Sequence, residues 1–283
     1  MRVAVFGGAG QVGHALARVA ARRGIALTVF DRAHADVTDI GAVAAALAHA
    51  RATVAINAAA YTAVDKAESD AERAEAVNRN GAGHVAAAAQ ALDIPLIHIS
   101  TDYVFDGTKQ EAYVEDDAIA PLGVYGRTKA DGETEVRKAH PRALIARTAW
   151  VYGLEGANFV KTMLRLGSER ECLRVVNDQR GNPTFADDLA EALLTIAVRP
   201  EPGTYHLAGQ GQTTWYNFAK AIFAAKGHGP RIDPITTADY PTPARRPANS
   251  VLDCSKAKRT FAVELPPWND GLSRMLHAHL GPR

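Results

Sequence analysis

Apolar and polar positions fall in alternating blocks along the first half of the chain, and each block predicts an element. Arg2 to Phe6, Ala26 to Phe30, Thr53 to Ile56, Pro95 to Ile99 and Ala143 to Arg147 are short apolar runs. Runs of this length, bounded by turn residues, read as buried strands. Between them the pattern takes the period of a helix. After the first strand, Leu16, Val19 and Ala20 fall on one side and Arg18, Arg22 and Arg23 on the other, and Gly24 is the stop. The Ala-rich segments Ile40 to Ala50 and Ala71 to Ala91 read as helices packed closely on a sheet. Strands alternating with helices predict an α/β fold, a Rossmann-type doubly wound parallel sheet with ligands at the C-terminal ends of its strands.

The alternation loosens after Gly153. Asn158 to Leu166, Asp187 to Val198 and Thr214 to Lys226 read as helices, with Thr213 or Thr214 capping the third, and Gly203 to Leu207 as a short strand. Tyr240-Pro241-Thr242-Pro243 and Arg245-Arg246-Pro247 form an extended loop. The division predicted is a dinucleotide-binding Rossmann domain over residues 1–150 and a smaller C-terminal substrate-binding lobe over 151–283. Part of 171–200 is expected to pack back on the first domain.

Composition narrows the class. Of 283 residues, 47% are apolar and 22% charged, ordinary for a globular protein with a sizeable core. A formal net charge of +1 gives no electrostatic case for nucleic acid or an anionic membrane. No apolar run reaches the ~20 residues of a membrane helix. The chain opens directly on a strand, so no signal peptide is expected. Cys172 and Cys254 are too few for a disulfide framework. A cytoplasmic setting is the expectation.

Chemistry concentrates at three strand ends. Gly7-Gly8-Ala9-Gly10-Gln11-Val12-Gly13 lies between a strand and a helix, the context of a dinucleotide-binding turn. Missing side chains let the backbone approach a pyrophosphate, and the helix N-terminus favours its charge. Asp31, ending the second strand, stands where an acid would bind a ribose 2′-hydroxyl, while Arg32 fits a 2′-phosphate. The two point to different cofactors. Asp36 is placed either to accept from an adenine amine or to cap the next helix. Small residues follow the third strand in Asn57-Ala58-Ala59-Ala60-Tyr61-Thr62. Asp65 to Glu68 reads as a solvated helix start. Asn78 needs a partner, with the backbone near the site as a candidate.

The third strand end carries Ser100-Thr101-Asp102-Tyr103-Val104-Phe105-Asp106-Gly107, followed by Tyr125 and Lys129 four residues apart on one helical face. A phenol beside an ammonium is a proton donor whose pKa the neighbouring charge should pull down. Thr101 can hold the oxygen that receives the proton. On an extended strand Asp102 would point to the opposite face from Thr101. Trp150 is a candidate to stack on a base or sugar, and Arg246 to hold a diphosphate.

These stretches, with Ala63-Val64-Asp65-Lys66-Ala67-Glu68, Arg147 to Tyr152 and Asn177-Asp178-Gln179, resemble the extended short-chain dehydrogenase/reductases that act on nucleotide sugars. More narrowly they resemble the reductases of that family whose substrate is dTDP-4-dehydro-L-rhamnose. The resemblance runs nearly end to end. It implies reduction of the C4 ketone with NADPH or NADH, Tyr125 donating the proton and Lys129 activating it and meeting the ribose. It implies Thr101 on the sugar carbonyl with Asp102 beside it, and Trp150 on the substrate. Gly10, Gln11 and Val12 would meet the pyrophosphate, Asp31, Asp36 and Val37 the adenosine, and Ala60, Tyr61 and Thr62 the rest of the cofactor. Some members hold magnesium with three carboxylates near a dimer contact. The matching positions here are Ala15, Asp187 and Asn269, with one acid left, so magnesium and a homodimer stay open. The alternatives are an epimerase or dehydratase on the same fold, or a non-catalytic regulatory nucleotide-binding subunit.

Overall fold

The computed structural model describes residues 1–281; Pro282 and Arg283 lie outside the described residues. The main sheet holds β1 (Arg2–Phe6), β2 (Ala26–Phe30), β3 (Val54–Asn57), β4 (Leu96–Thr101), β5 (Leu144–Thr148) and the strand Gly203–His206. Its order is β2-β1-β3-β4-β5 and then Gly203–His206, all parallel. The chain steps outward from β1 to β2 and then crosses back to β3. The switch point therefore lies between the ends of β1 and β3, where an open α/β sheet binds ligands. The doubly wound sheet is the architecture the alternating pattern predicts.

Both faces of the sheet are covered. On one, α1 (Gln11–Arg23) packs with the helix Ala186–Ile196, burying Leu16 and Val19 with Leu189 and Leu193. On the other, α2 (Ile40–His49), α5 (Ala82–Ala91) and α6 (Val124–Ala139) cover Phe6, Ala55 and Ile145. The cap of α2 is Asp39, whose carboxylate accepts from the Gly41 and Ala42 amides, not Asp36. Between β3 and α5 come two short helices, α3 (Val64–Ala67) and α4 (Ala71–Glu75). The expected single helix from Ala71 to Ala91 is interrupted by a π-helical segment, Ala76–Gly81, that shifts the register and turns Asn78 inward.

A separate apolar cluster forms the core of the remaining region. Phe159–Glu169, Trp215–Lys226 and Trp268–Leu280 are helices there, and a two-stranded parallel ladder pairs Cys172–Val176 with Arg231–Ile235. Thr214 caps the second of these helices by accepting from the Asn217 amide. No described helix is long and apolar enough to cross a membrane.

Candidate active site

Two clefts bear on the site, one at the C-terminal edge of the sheet and one in the C-terminal region. The first, about 600 Å³, is lined by Gly7, Gly10, Asp31, Arg32, Asp36, Val37, Ala60 and Tyr61 among the residues singled out above. Gly7 has φ +86°, and a Cβ there would sit 2.6 Å from the Ala58 carbonyl carbon; one on Gly13 would sit 2.4 Å from the Gly7 oxygen. Glycine is thus what lets the turn, β3 and α1 close up, and the cradle suits a pyrophosphate against a helix N-terminus. Ala9, Arg73 and Val77 also line the cleft. Sequence pattern alone did not single them out, because α4 and the π segment reach the cleft only through the tertiary fold.

Not every expected cofactor residue lies on that wall. Gln11 faces the other half of the molecule, its side-chain oxygen accepting from Asn158 Nδ2 at 3.0 Å. Val12 packs on the core beneath the turn. Thr62 is exposed. Asp36 accepts from the Thr38 amide and hydroxyl and pairs with Arg32 at 3.0 Å, so both side chains have partners of their own. Asp31 meets His34 Nδ1 at 2.6 Å, which holds its carboxyl below the usual carboxylate range.

The second cleft, also about 600 Å³, lies in the C-terminal region. Phe159, Met163 and Trp215 line one part, and Arg174, Gln179 and Arg246 contribute polar groups. Trp150 does not line it directly. It stacks flat on Trp215, ring centroids 3.5 Å apart, with a strained positive φ of 46°. Arg246 makes a bidentate pair with Asp65 of α3 and meets Thr242. Asp65 is therefore not simply solvated, and neither is Glu68, whose carboxylate accepts from the Val124 amide at the start of α6. The cap is long-range, and for that reason the local pattern does not reveal it.

Between the clefts stand Thr101, Tyr125 and Lys129. Tyr125 shares the apolar cluster of Ala67, Ala74 and Val124 with Tyr61 of the first cleft, and packs edge-on to Tyr103, itself beside Arg246 of the second. Burial pushes the Tyr125 phenol up to about 12, against a hydrogen bond with Thr101 that pulls it down. The expectation that the ammonium depresses this pKa is not met. Lys129 Nζ instead donates to the Ile99 carbonyl at 2.6 Å, and burial lowers its own pKa to about 8. One of the three N–H donors of the ammonium is thus held by the strand, and the shielded site disfavours both charged forms.

Thr101 is the last residue of β4, and Asp102 opens a 3-10 turn. The two do not point to opposite faces: Thr101 Oγ1 donates to Asp102 Oδ1 at 3.0 Å. Burial pushes the Asp102 carboxyl up to about 6 against hydrogen bonds from Ser250 and Thr101. The partner that Asn78 needs is found. It accepts from the Tyr61 amide at 2.8 Å and donates to Thr128 Oγ1 at 3.0 Å, tying the first cleft to α6.

At the positions raised for magnesium, Ala15 is buried in the core and Asp187 accepts from Arg18 and Arg22. Among the described residues no group of three or more His, Cys, Asp or Glu side chains is arranged to hold a metal ion.

Comparison with known proteins agrees with this geometry. Residues 1–280 match the family described as RmlD substrate binding domain. A dTDP-4-dehydrorhamnose reductase of Sinorhizobium fredii is 45% identical over 99% of this chain and 98% of its own length. The crystal structure of a dTDP-4-dehydrorhamnose reductase from Clostridium acetobutylicum superposes with a TM-score of 0.95 at 36% identity, covering 99% of this chain and all of that one. The Bacillus anthracis reductase, solved in complex with NADP, gives 0.94 at 37% identity over 98% of this chain and 99% of its own. A match in sequence and in fold over nearly the whole length leaves one assignment: the chain belongs to the dTDP-4-dehydrorhamnose reductase family of short-chain dehydrogenase/reductases.

Proposed function

We propose that the protein reduces the C4 ketone of dTDP-4-dehydro-L-rhamnose, giving dTDP-L-rhamnose, as an NADPH- or NADH-dependent oxidoreductase of dTDP-rhamnose biosynthesis in the cytoplasm. The observation that carries the reading is Tyr125, whose phenol lies beside Thr101 at the end of β4, with a dinucleotide-shaped cleft and an apolar cleft rimmed with arginine on the two sides of it. NAD(P)H bound along Gly7, Gly10, Asp31, Arg32 and Ala60 would supply the hydride. The Thr101 hydroxyl, turned from Asp102 Oδ1 to the substrate, would donate to the ketone oxygen. Tyr125 gives its proton to that oxygen as negative charge develops there. A phenol with a pKa near 12 is a poor acid toward water but still stronger than a sugar alkoxide's conjugate acid, so the transfer runs downhill. Lys129, anchored on Ile99, fixes the ribose end of the cofactor. Asp102 contacts the sugar beside Thr101, and the second cleft takes the thymidine diphosphate with Arg246 on its phosphates and the Trp150–Trp215 stack at the sugar. In this reading residues 1–150 hold the cofactor and most of 151–283 the substrate.

The test is cofactor consumption. With dTDP-4-dehydro-L-rhamnose, NAD(P)H absorbance should be lost in a one-to-one ratio with product. UDP-glucose should consume none. Turnover of UDP-glucose to its C4 epimer with the cofactor retained would overturn the assignment, and cofactor binding without turnover would indicate a regulatory subunit.

A further inference from the structure

Glu133 has no solvent exposure and sits two turns beyond Tyr125 and one beyond Lys129 on the same face of α6. Its carboxylate is saturated by donors from three elements. Ser100 Oγ, next to Thr101 on β4, donates to Oε1 at 2.6 Å. Arg147 of β5 gives a bidentate pair, Nε to Oε1 and a terminal nitrogen to Oε2, both at 2.9 Å. Arg137, one turn further along α6, reaches Oε2 at 2.9 Å. Arg147 is itself 3% exposed and Lys129 2%. Two buried cations thus flank one buried carboxylate. A buried ion pair of this kind contributes little net stability, while removal of one partner leaves a costly bare charge.

We propose that Glu133 is a positioning residue for the reduction: it clamps the helix carrying Tyr125 and Lys129 to the strand end carrying Thr101, and it is the counter-charge of Lys129. The inference rests on the reading of Tyr125 and Lys129 as the catalytic pair. Other titratable groups near Lys129 do not take that part. His98 of β4 is fully buried and held neutral by burial and by the Lys129 charge. Tyr125 remains a phenol. Asp102 and Tyr103, from the turn after β4, act on one another and, for Asp102, on Tyr125. His206, beside Arg147, is driven neutral by burial, and Glu115 offers Arg147 its backbone carbonyl and the His206 amide its carboxylate. Glu133 alone opposes the effect of burial on Lys129.

The experiment uses the full chain labelled with [ε-13C]lysine, free of cofactor, with the Lys129 signal assigned by its loss in Lys129→Arg. In Glu133→Gln the Lys129 titration midpoint should move down by about one pH unit or more, because burial then acts unopposed. The alkaline limb of kcat with NADPH should move down with it, while the KM for NADPH at pH 6.5 changes less than about threefold. Should that variant not fold, Glu133→Gln/Arg147→Met carries the test, with a midpoint still below wild type. A wild-type midpoint and alkaline limb in a folded Glu133 variant would overturn the proposal while leaving the catalytic pair intact. Near-normal turnover by Tyr125→Phe, measured alongside, would instead overturn the reading of the pair and this inference with it.

Discussion

In the proposed reaction Tyr125 is the proton donor, and burial rather than an ammonium keeps it from ionising. Tyr125→Phe keeps the ring against Tyr103 and removes only the proton. Its kcat should fall by about 10²-fold or more with the substrate KM little changed, the loss typical of a general acid. Equal losses in kcat and in substrate affinity would assign the hydroxyl to binding instead. At the ribose end, Asp31 is turned to His34 and Arg32 to Asp36, so neither is committed to one cofactor. Both side chains are on the surface, where such pairs exchange at little cost. NADPH and NADH should both serve, with kcat/KM within about tenfold, or ~1.4 kcal/mol. A preference above a hundredfold, measured with saturating sugar, would show that one of the two is locked in place.

The helix α6 depends on contacts that reach it from other elements. Glu68 caps its first turn, Asn78 bonds its second, and Gly132 lets the π segment approach so closely that an added Cβ would sit 2.1 Å from the Asn78 carbonyl oxygen. Gly132→Ala should therefore destabilise the protein by roughly 1–3 kcal/mol through overpacking. Because Asn78 also holds the Tyr61 amide, the same variant should raise the KM for NADPH; a lowered melting temperature with cofactor KM unchanged would show that the strain stays local. The strands, the Gly7–Gly13 turn and the Tyr125–Lys129 face were legible because each is a local pattern: an apolar run, a glycine spacing, an i,i+4 pair. Asp36 and Asp39 compete as caps three residues apart, and only backbone geometry separates them. The π segment, the 3-10 turn at Asp102 and the cap from Glu68 follow from tertiary contacts that no window of sequence contains. Glu133 had a visible signal, being eight residues beyond Tyr125 on the same face, but its meaning depended on Arg147 from another strand.

Across the whole molecule, the two buried histidines and Glu133 share one sign and outnumber Asp102, whose carboxyl burial raises to about 6 and which opposes them between pH 6 and 4. His206 is held at about 3 by burial and by the neighbouring Arg147 charge, and its Nδ1 donates to the Tyr113 carbonyl. Its folded pKa lies below the ordinary 6.5, so the stability it contributes is whole above that value and is lost as pH falls toward 3. His98 acts the same way. Burial disfavours the Glu133 charge, yet the Arg147 pair holds the carboxyl at about 2, so its contribution is present above 4.5 and is lost as pH falls through 2. The melting temperature should begin to fall just below pH 6.5 and steepen below 4.5. A flat profile between pH 7 and 5 would mean that the histidines are reached by water before the fold opens. The connectivity has its own consequence. The chain leaves the sheet after β5, returns to it through the helix Ala186–Ile196 and the strand Gly203–His206, and leaves again. The C-terminal half is thus one insertion and one extension grown from one sheet, not a separable module. A cut at residue 150 would strip α1 of its covering helix and leave β5 as a bare edge, so neither fragment inherits a finished core. Recombination between relatives would keep the fold only where its crossovers fall near both exits from the sheet, and a lineage can exchange the second cleft only by exchanging two stretches together.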